Sequence, residues 1–249
     1  MDGSFNTDGL ELPAPDLILP NGAQAWRAVE QGSWEWLMLR AGLPTASELA
    51  SLLVKGKDPK KANGLGAGAI TYAHTVAAEL ILGGPVSNFQ GNEHTERGHA
   101  LEGELADNYA LLRGVDLDTL GFIRLGRFGY SPDRLVGANG LLEVKAPQPH
   151  KVIGMLRDAD FPSDYRAQCL GGLYATDREW IDLVAGARDL PECIRRLDHE
   201  RVRAEVEALR DALDRFVAYV DDTVAFIRGI AGDGPDAAAL AQALPVAAE

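Results

Sequence analysis

Apolar positions change period several times along the chain, and those changes divide it into elements. Trp36, Leu37 and Leu39 supply apolar surface to a span that reads as helical from Trp26 to Arg40, ahead of a break at Gly42-Leu43-Pro44. Thr45-Ala46-Ser47-Glu48 then opens a short helix through about Val54, with Ser47 or Thr45 as its N-cap. Leu65 to Leu82 is a helix that stops at Gly83-Gly84-Pro85. His94 to Arg113 is the next, with Gly98, Leu101, Leu105, Tyr109 and Leu112 on one face. Glu102 falls on that same face. Carboxylates are rare on a buried stripe unless paired, so Glu102 is either a functional residue or half of a structural salt bridge.

Period two takes over afterwards. Val115 to Leu125 and Phe128 to Val136 alternate as strands, leading into apolar segments Arg134–Val136 and Leu141–Ala146 joined across Gly137-Ala138-Asn139-Gly140. Asn-Gly between apolar runs signals a β-hairpin. Pro147 and Pro149 end it, a short helix begins at His150 and reaches Leu156, and Ser163 to Thr176 forms another. Gln168 lies near the middle of that second helix, and Gly171-Gly172 allows it to pack closely. Trp180 to Ala187 and Cys193 to Leu197 are further strands, and Glu200 to Ile230 is a long amphipathic helix with Val206, Leu209, Leu213, Phe216, Val220 and Phe226 on its apolar side. Strands set among helices imply one α/β domain over 24–230, with a loose arm over 1–23 and a frayed or disordered Ala-rich tail over 231–249.

Composition is compatible with this picture. A chain of 249 residues with 46% hydrophobic content can bury a sizeable core without a second domain. Cys169 and Cys193 have no metal-ligand spacing and read as reduced thiols of a cytoplasmic protein. His74 has no second His or Cys at metal spacing and reads as a surface or partly packed residue. No segment is apolar enough for a membrane span, and no signal-peptide pattern opens the chain. The formal charge of −13 and pI of about 4.8 exclude a protein that coats DNA through a basic surface. They leave room for an enzyme whose phosphate contacts are few and local. The run Lys55-Gly56-Lys57-Asp58-Pro59-Lys60-Lys61 is either a solvated loop or a guide for nucleic acid.

The hairpin carries the chemistry. Side chains alternate along a strand, so Glu143 and Lys145 share one face while Leu142 and Val144 take the other, and Asp133 stands at the start of the partner strand. Two hard carboxylates suit Mg²⁺, which prefers oxygen ligands and keeps waters for a substrate phosphate. A lysine beside them can orient a water, or deprotonate it if its pKa is lowered by its surroundings. A helix start at Ser47 adds backbone donors for a phosphate, or else Ser47 merely caps the helix.

Taken together, Arg27-Ala28-Val29-Glu30-Gln31-Gly32, Trp36-x3-Arg40-x-Gly42-x2-Thr45-Ala46-Ser47-Glu48, Gly98-x3-Glu102, Ser131-Pro132-Asp133, Leu142-Glu143-Val144-Lys145-Ala146-Pro147 and Ala167-Gln168 resemble, in order, the lambda exonuclease and YqaJ-type viral recombinases among the PD-(D/E)xK nucleases. The resemblance spans most of residues 27 to 230. It implies a restriction-endonuclease-like α/β core, a central mixed sheet flanked by helices. It also implies a 5′→3′ exonuclease that digests one strand of linear duplex DNA from a 5′-phosphorylated end and leaves 3′ single-stranded overhangs for phage-type recombination. Carried over, Asp133, Glu143, Glu102 and the backbone carbonyl of Val144 would hold one or two Mg²⁺ ions, with Mn²⁺ as a possible substitute. Lys145 would position or activate the water, Gln168 would complete the site, and Arg40, Ser47 and Ser131 would hold the 5′-phosphate. A homotrimeric ring, a single-strand annealing partner and the cytoplasm of a bacterium or phage-infected host follow from the same resemblance. Glu93-His94-Thr95-Glu96 stands where the family can present an apolar wedge. Two other readings stay open: an endonuclease or structure-specific nuclease on the same fold, and a catalytically idle DNA-binding relative.

Overall fold

The computed structural model of the chain describes residues 12–58, 61–86 and 93–231, without the side chains of 93–99 and 231. In chain order the strands are β1 (Leu17–Ile18), β2 (Gln24–Trp26), β3 (Leu117–Asp118), β4 (Phe122–Leu125), β5 (Phe128–Tyr130), β6 (Arg134–Val136), β7 (Gly140–Lys145), β8 (Trp180–Ala185) and β9 (Cys193–Asp198). The helices are α1 (Trp34–Arg40), α2 (Leu49–Leu52), α3 (Ala67–Leu82), α4 (Glu93–Arg113), α5 (Pro149–Arg157), α6 (Ser163–Thr176) and α7 (His199–Ala231).

The expected hairpin lies at the heart of the larger sheet, whose order is β3-β6-β7-β8-β9. Arg134 faces Leu142 and Val136 faces Gly140 across an antiparallel pair, with Gly137 entering the turn at φ +53°. β8 pairs with β7 in parallel, and β9 pairs with β8 antiparallel, so the sheet is mixed. A parallel neighbour requires a crossover, which α5 and α6 supply. One face, through Leu141 and Ile181, joins a core containing Leu170 and Leu173 of α6 and Leu209, Phe216 and Val220 of α7. The other, through Leu142, Val144 and Val184, meets Leu105, Ala106 and Tyr109 of α4. A Cβ added at Gly172 would stand 2.9 Å from the Tyr130 ring and one at Gly171 would stand 2.5 Å from Leu49, which explains the pair of glycines on α6.

The structure corrects several expectations. Trp26 to Arg40 is not one helix: Trp26 ends a strand, Gly32 turns the chain at φ +89°, and Ser33 caps α1 by accepting from the Trp36 backbone N–H. The two long strands expected over 115–136 are broken into four short ones divided between two sheets, the second having the order β1-β2-β4-β5. Part of the expected arm is ordered, since Leu17–Ile18 forms an edge strand on β2 and Pro13 accepts a hydrogen bond from the Trp26 indole. Thr45 precedes a 3₁₀ turn over Ala46–Glu48 without a side-chain capping bond. Leu112 and Phe226, expected on apolar faces, are exposed. Residues 1–11 of the expected arm and 232–249 of the expected tail fall outside the described residues.

Candidate active site

Strand alternation on β7 sends Glu143 toward α6, where it is fully buried. Its Oε1 lies 2.5 Å from Lys145 Nζ and accepts a hydrogen bond of 2.5 Å from Gln168 Nε2 of α6. Its other oxygen, Oε2, is buried and has no hydrogen-bond partner among the described residues. Asp133, just ahead of β6, accepts the Val144 backbone N–H at 2.7 Å through Oδ2, while its own carbonyl is held by the Arg134 guanidinium at 2.6 Å. The hairpin and α6 thus bring Asp133, Glu143, Lys145 and Gln168 together.

The site is short of positive charge. Burial, then the neighbouring Asp133 and Glu102 carboxylates, push Glu143 up to about 8 against the pull of Lys145. Burial alone would lower Lys145, but Glu143, Asp133 and Glu102 together outweigh it and hold the ammonium above its ordinary range. This is the reverse of what a lysine acting as general base needs. Lys145 is therefore held as a cation, a state suited to orienting a group and not to taking a proton from it. A divalent ion would supply the missing charge and a partner for Glu143 Oε2, so the donor set fits a metal. Among the described residues no three His, Cys, Asp or Glu side chains form a metal cluster. Two carboxylates with main-chain and water oxygens completing the shell is an arrangement that Mg²⁺ accepts.

A cleft of about 650 Å³ runs alongside. Glu102 of α4, half-buried, lines it with Asp133, Arg134, Val144, Arg27 and Gln31. Gln31 Nε2 donates to the Pro132 carbonyl at 2.9 Å, fixing the 27–31 segment to the residue before Asp133.

The three residues expected at a phosphate form a second cluster. The Arg40 guanidinium lies 4.2 Å over the Trp36 ring and donates to Thr45 Oγ1 at 3.3 Å. Ser47 Oγ is 3.4 Å from that same oxygen, and the Trp36 indole N–H donates to Ser131 Oγ at 2.8 Å. Gly129 N donates to the Pro44 carbonyl, and a parallel bridge between Thr45 and Gly129 seats this cluster on β5. Burial lowers the Arg40 pKa, opposed by Tyr72, Glu79 and Glu48. A cavity of about 440 Å³ opens beside Arg40, Thr45 and Tyr72. Trp36, Thr45 and Tyr72 are joining residues that sequence reading did not assign. Trp36 and Thr45 sat within a quoted motif, whereas Tyr72 gave no signal of its own.

Cys169, next to Gln168, adjoins the first cluster, near enough for the charges of Glu143, Lys145 and Asp133 to act on its thiol. Cys169 and Cys193 are free and buried, and His74 packs on Tyr219 with ring centroids 6.1 Å apart. Lys60 and Glu93-His94-Thr95-Glu96 raise questions that lie outside the described residues or their side chains. No described helix is long and apolar enough to cross a membrane.

Residues 35–179 match the family model of the YqaJ-like viral recombinase domain. Among solved structures, the chain is similar to the alkaline exonuclease LHK-Exo of Laribacter hongkongensis, at TM-score 0.67 and 25% identity over 80% of this chain and 98% of that one. The same similarity holds to LHK-Exo in complex with dAMP. A phage-related exonuclease of Haemophilus somnus 129PT shares the fold at TM-score 0.59 and 15% identity, over 74% of this chain and 96% of that one. No curated protein matches the sequence. The mixed sheet flanked by helices is accordingly the α/β core of the PD-(D/E)xK nucleases, as expected.

Proposed function

The chain belongs to the YqaJ-like viral recombinase domain family, and on that premise we propose that it is a nuclease, specifically a Mg²⁺-dependent 5′→3′ exonuclease acting on linear duplex DNA. The observation that carries this reading is Glu143, a fully buried carboxylate with one oxygen engaged by Lys145 and Gln168 and the other without a hydrogen-bond partner among the described residues. The exonuclease activity of LHK-Exo and its complex with dAMP, a mononucleotide of the kind such an enzyme releases, support the same assignment.

In this reading Asp133 and Glu143 hold the metal, joined by the Val144 carbonyl and, through its place in the cleft, Glu102. Bound Mg²⁺ would polarise the scissile phosphate and lower the pKa of the attacking water. Lys145, an ammonium, orients that water and offsets negative charge building on the phosphate. Gln168 fixes the rotamer of Glu143. Arg40, Ser47 and Ser131 hold the terminal 5′-phosphate. Ser131 and Asp133 are two residues apart, so their Cα atoms lie within about 7 Å. A terminal phosphate at one and the next phosphodiester at the other therefore suit removal of single nucleotides. A homotrimeric ring and a single-strand annealing partner belong to the same proposal; a monomer by light scattering at working concentration would remove the ring from it.

The test compares Mg²⁺-dependent digestion of linear duplex with a 5′-phosphate, the same duplex with a 5′-hydroxyl, and a closed circle. Mononucleotides from the phosphorylated strand with the circle intact are the expected result. Cutting of the circle would shift the assignment to an endonuclease, and no digestion of any substrate would favour a DNA-binding relative without catalysis.

A further inference from the structure

The cavity beside Arg40 raises a problem of charge. Arg40 shares its walls with the carboxylates of Glu48 and Glu79, so among the described residues the cavity's charged lining is two acids against one guanidinium. A phosphate monoester brought there needs more than Arg40 to hold it, and neutral hydrogen-bond donors are the groups able to help without further charge.

Thr45 Oγ1 marks where such donors converge. It is buried, accepts from Arg40 Nη2 at 3.3 Å, and lies 3.4 Å from Ser47 Oγ and 3.5 Å from the Tyr72 hydroxyl. The Tyr72 oxygen already accepts the Thr45 backbone N–H at 3.0 Å. Its own proton is less well placed. Among the described residues, the acceptors within reach are the Leu43 carbonyl at 3.5 Å and Thr45 Oγ1 at 3.5 Å. Both lie beyond the roughly 2.5–3.0 Å of a good O–H···O bond. The ring is held against Phe216, with centroids 5.3 Å apart, so the hydroxyl cannot swing far to improve either contact.

We propose that Tyr72 is a further phosphate-binding residue of this pocket, donating its phenolic proton to an oxygen of the 5′-terminal phosphate beside Arg40. The inference rests on the reading of Arg40, Ser47 and Ser131 as the 5′-phosphate site. Binding exchanges two long contacts for one short, charge-assisted bond and leaves the Thr45 N–H bond intact. Burial raises the pKa of Tyr72, which keeps the proton on the phenol and available to donate.

The test uses the full chain with Mg²⁺ and linear duplexes differing only in a 5′-phosphate or 5′-hydroxyl, comparing wild type, Tyr72→Phe and Arg40→Ala. Phenylalanine keeps the ring against Phe216 and removes only the hydroxyl. The preference for the phosphorylated end, as a ratio of kcat/KM values, should fall at least threefold in Tyr72→Phe, with the loss carried mainly in KM. Arg40→Ala should lower it further. A Tyr72→Phe preference within twofold of wild type, while Arg40→Ala collapses it, would overturn the role of Tyr72 and leave the pocket standing. An unchanged preference in Arg40→Ala would overturn the pocket itself, and Tyr72 with it.

Discussion

Lys145 Nζ and Glu143 Oε1 are 2.5 Å apart on one face of a central strand, and that closeness holds Lys145 as a cation. Lys145→Ala should abolish cleavage while leaving DNA binding largely intact, because the residue is assigned to the reacting water and not to the duplex. Single-turnover cleavage and a binding assay with Ca²⁺ in place of Mg²⁺ separate the two. Residual activity within about tenfold of wild type, a loss of only about 1.4 kcal/mol, would contradict the role.

The same pair sets a pH dependence. Glu143 must lose its proton to hold a metal, and its pKa is pushed up to about 8. Mg²⁺ affinity should therefore climb as pH rises toward 8, approaching about tenfold per unit well below it, and level off above. The stability of the metal-free protein runs the other way. A carboxyl whose folded pKa is raised binds its proton more tightly in the fold, so its contribution is present below the ordinary carboxylate range and is lost as pH rises through about 8. Calorimetric titration at several pH values checks the first trend and thermal unfolding without metal the second. A flat affinity between pH 6 and 9 would remove Glu143 from the metal site.

Asp182 is a buried acid of another kind. It is 1% exposed on β8, bound through both oxygens by Arg196 at 2.6 and 2.8 Å, and accepts the Tyr109 hydroxyl at 2.7 Å. Arg196 stacks 3.7 Å over Trp180, so α4, β8 and β9 are joined at one point. Arg196→Ala leaves the carboxylate with Tyr109 alone and should cost about 2–3 kcal/mol. Urea unfolding reads this directly, and a change below about 0.5 kcal/mol would show that Tyr109 alone satisfies the charge.

What the sequence made legible was local. The hairpin followed from Asn139-Gly140 and period-two alternation, and α6 followed from a helical run whose bounds, Ser163–Thr176, match the structure. Once its register was fixed, the shared face of Glu143 and Lys145 was forced. The strand at Gln24–Trp26 was missed because one partner, β4, lies about a hundred residues along the chain, the other, β1, is only two residues long, and its own three residues carry no periodicity. Ser33 directly after the turn at Gly32 is a helix start of a kind legible in sequence. Tyr72 was invisible for a related reason: its hydroxyl meets Thr45 through the packing of α3 alone, 27 residues away in sequence. Of the two roles open to Lys145, orienting a water or deprotonating it, the three carboxylates around it favour the first, and their approach was not legible from spacing.

Gly121 shows how a position distant from the chemistry supports it. A Cβ placed there would stand 1.7 Å from the Val29 carbonyl oxygen and 2.8 Å from its carbon, and the Gly121 N–H donates to the Trp26 carbonyl at 2.9 Å. Backbone lies against backbone, so no side-chain rotation can make room. The segment pressed on it, residues 27–31, lines the catalytic cleft and is fixed at its far end by Gln31 on Pro132. Gly121→Ala should therefore destabilise the protein by about 2–4 kcal/mol and weaken Mg²⁺ binding by shifting the chain ahead of Asp133. Gly103 is the control. It lies on α4 in the same cleft, but a Cβ there meets none of the described residues' atoms within 4 Å. Gly103→Ala should stabilise by about 0.5–1 kcal/mol through helix propensity. Urea unfolding of both variants with and without Mg²⁺ tests the pair, and equal effects from the two substitutions would show that the packing of Gly121 on Val29 does not govern the cleft.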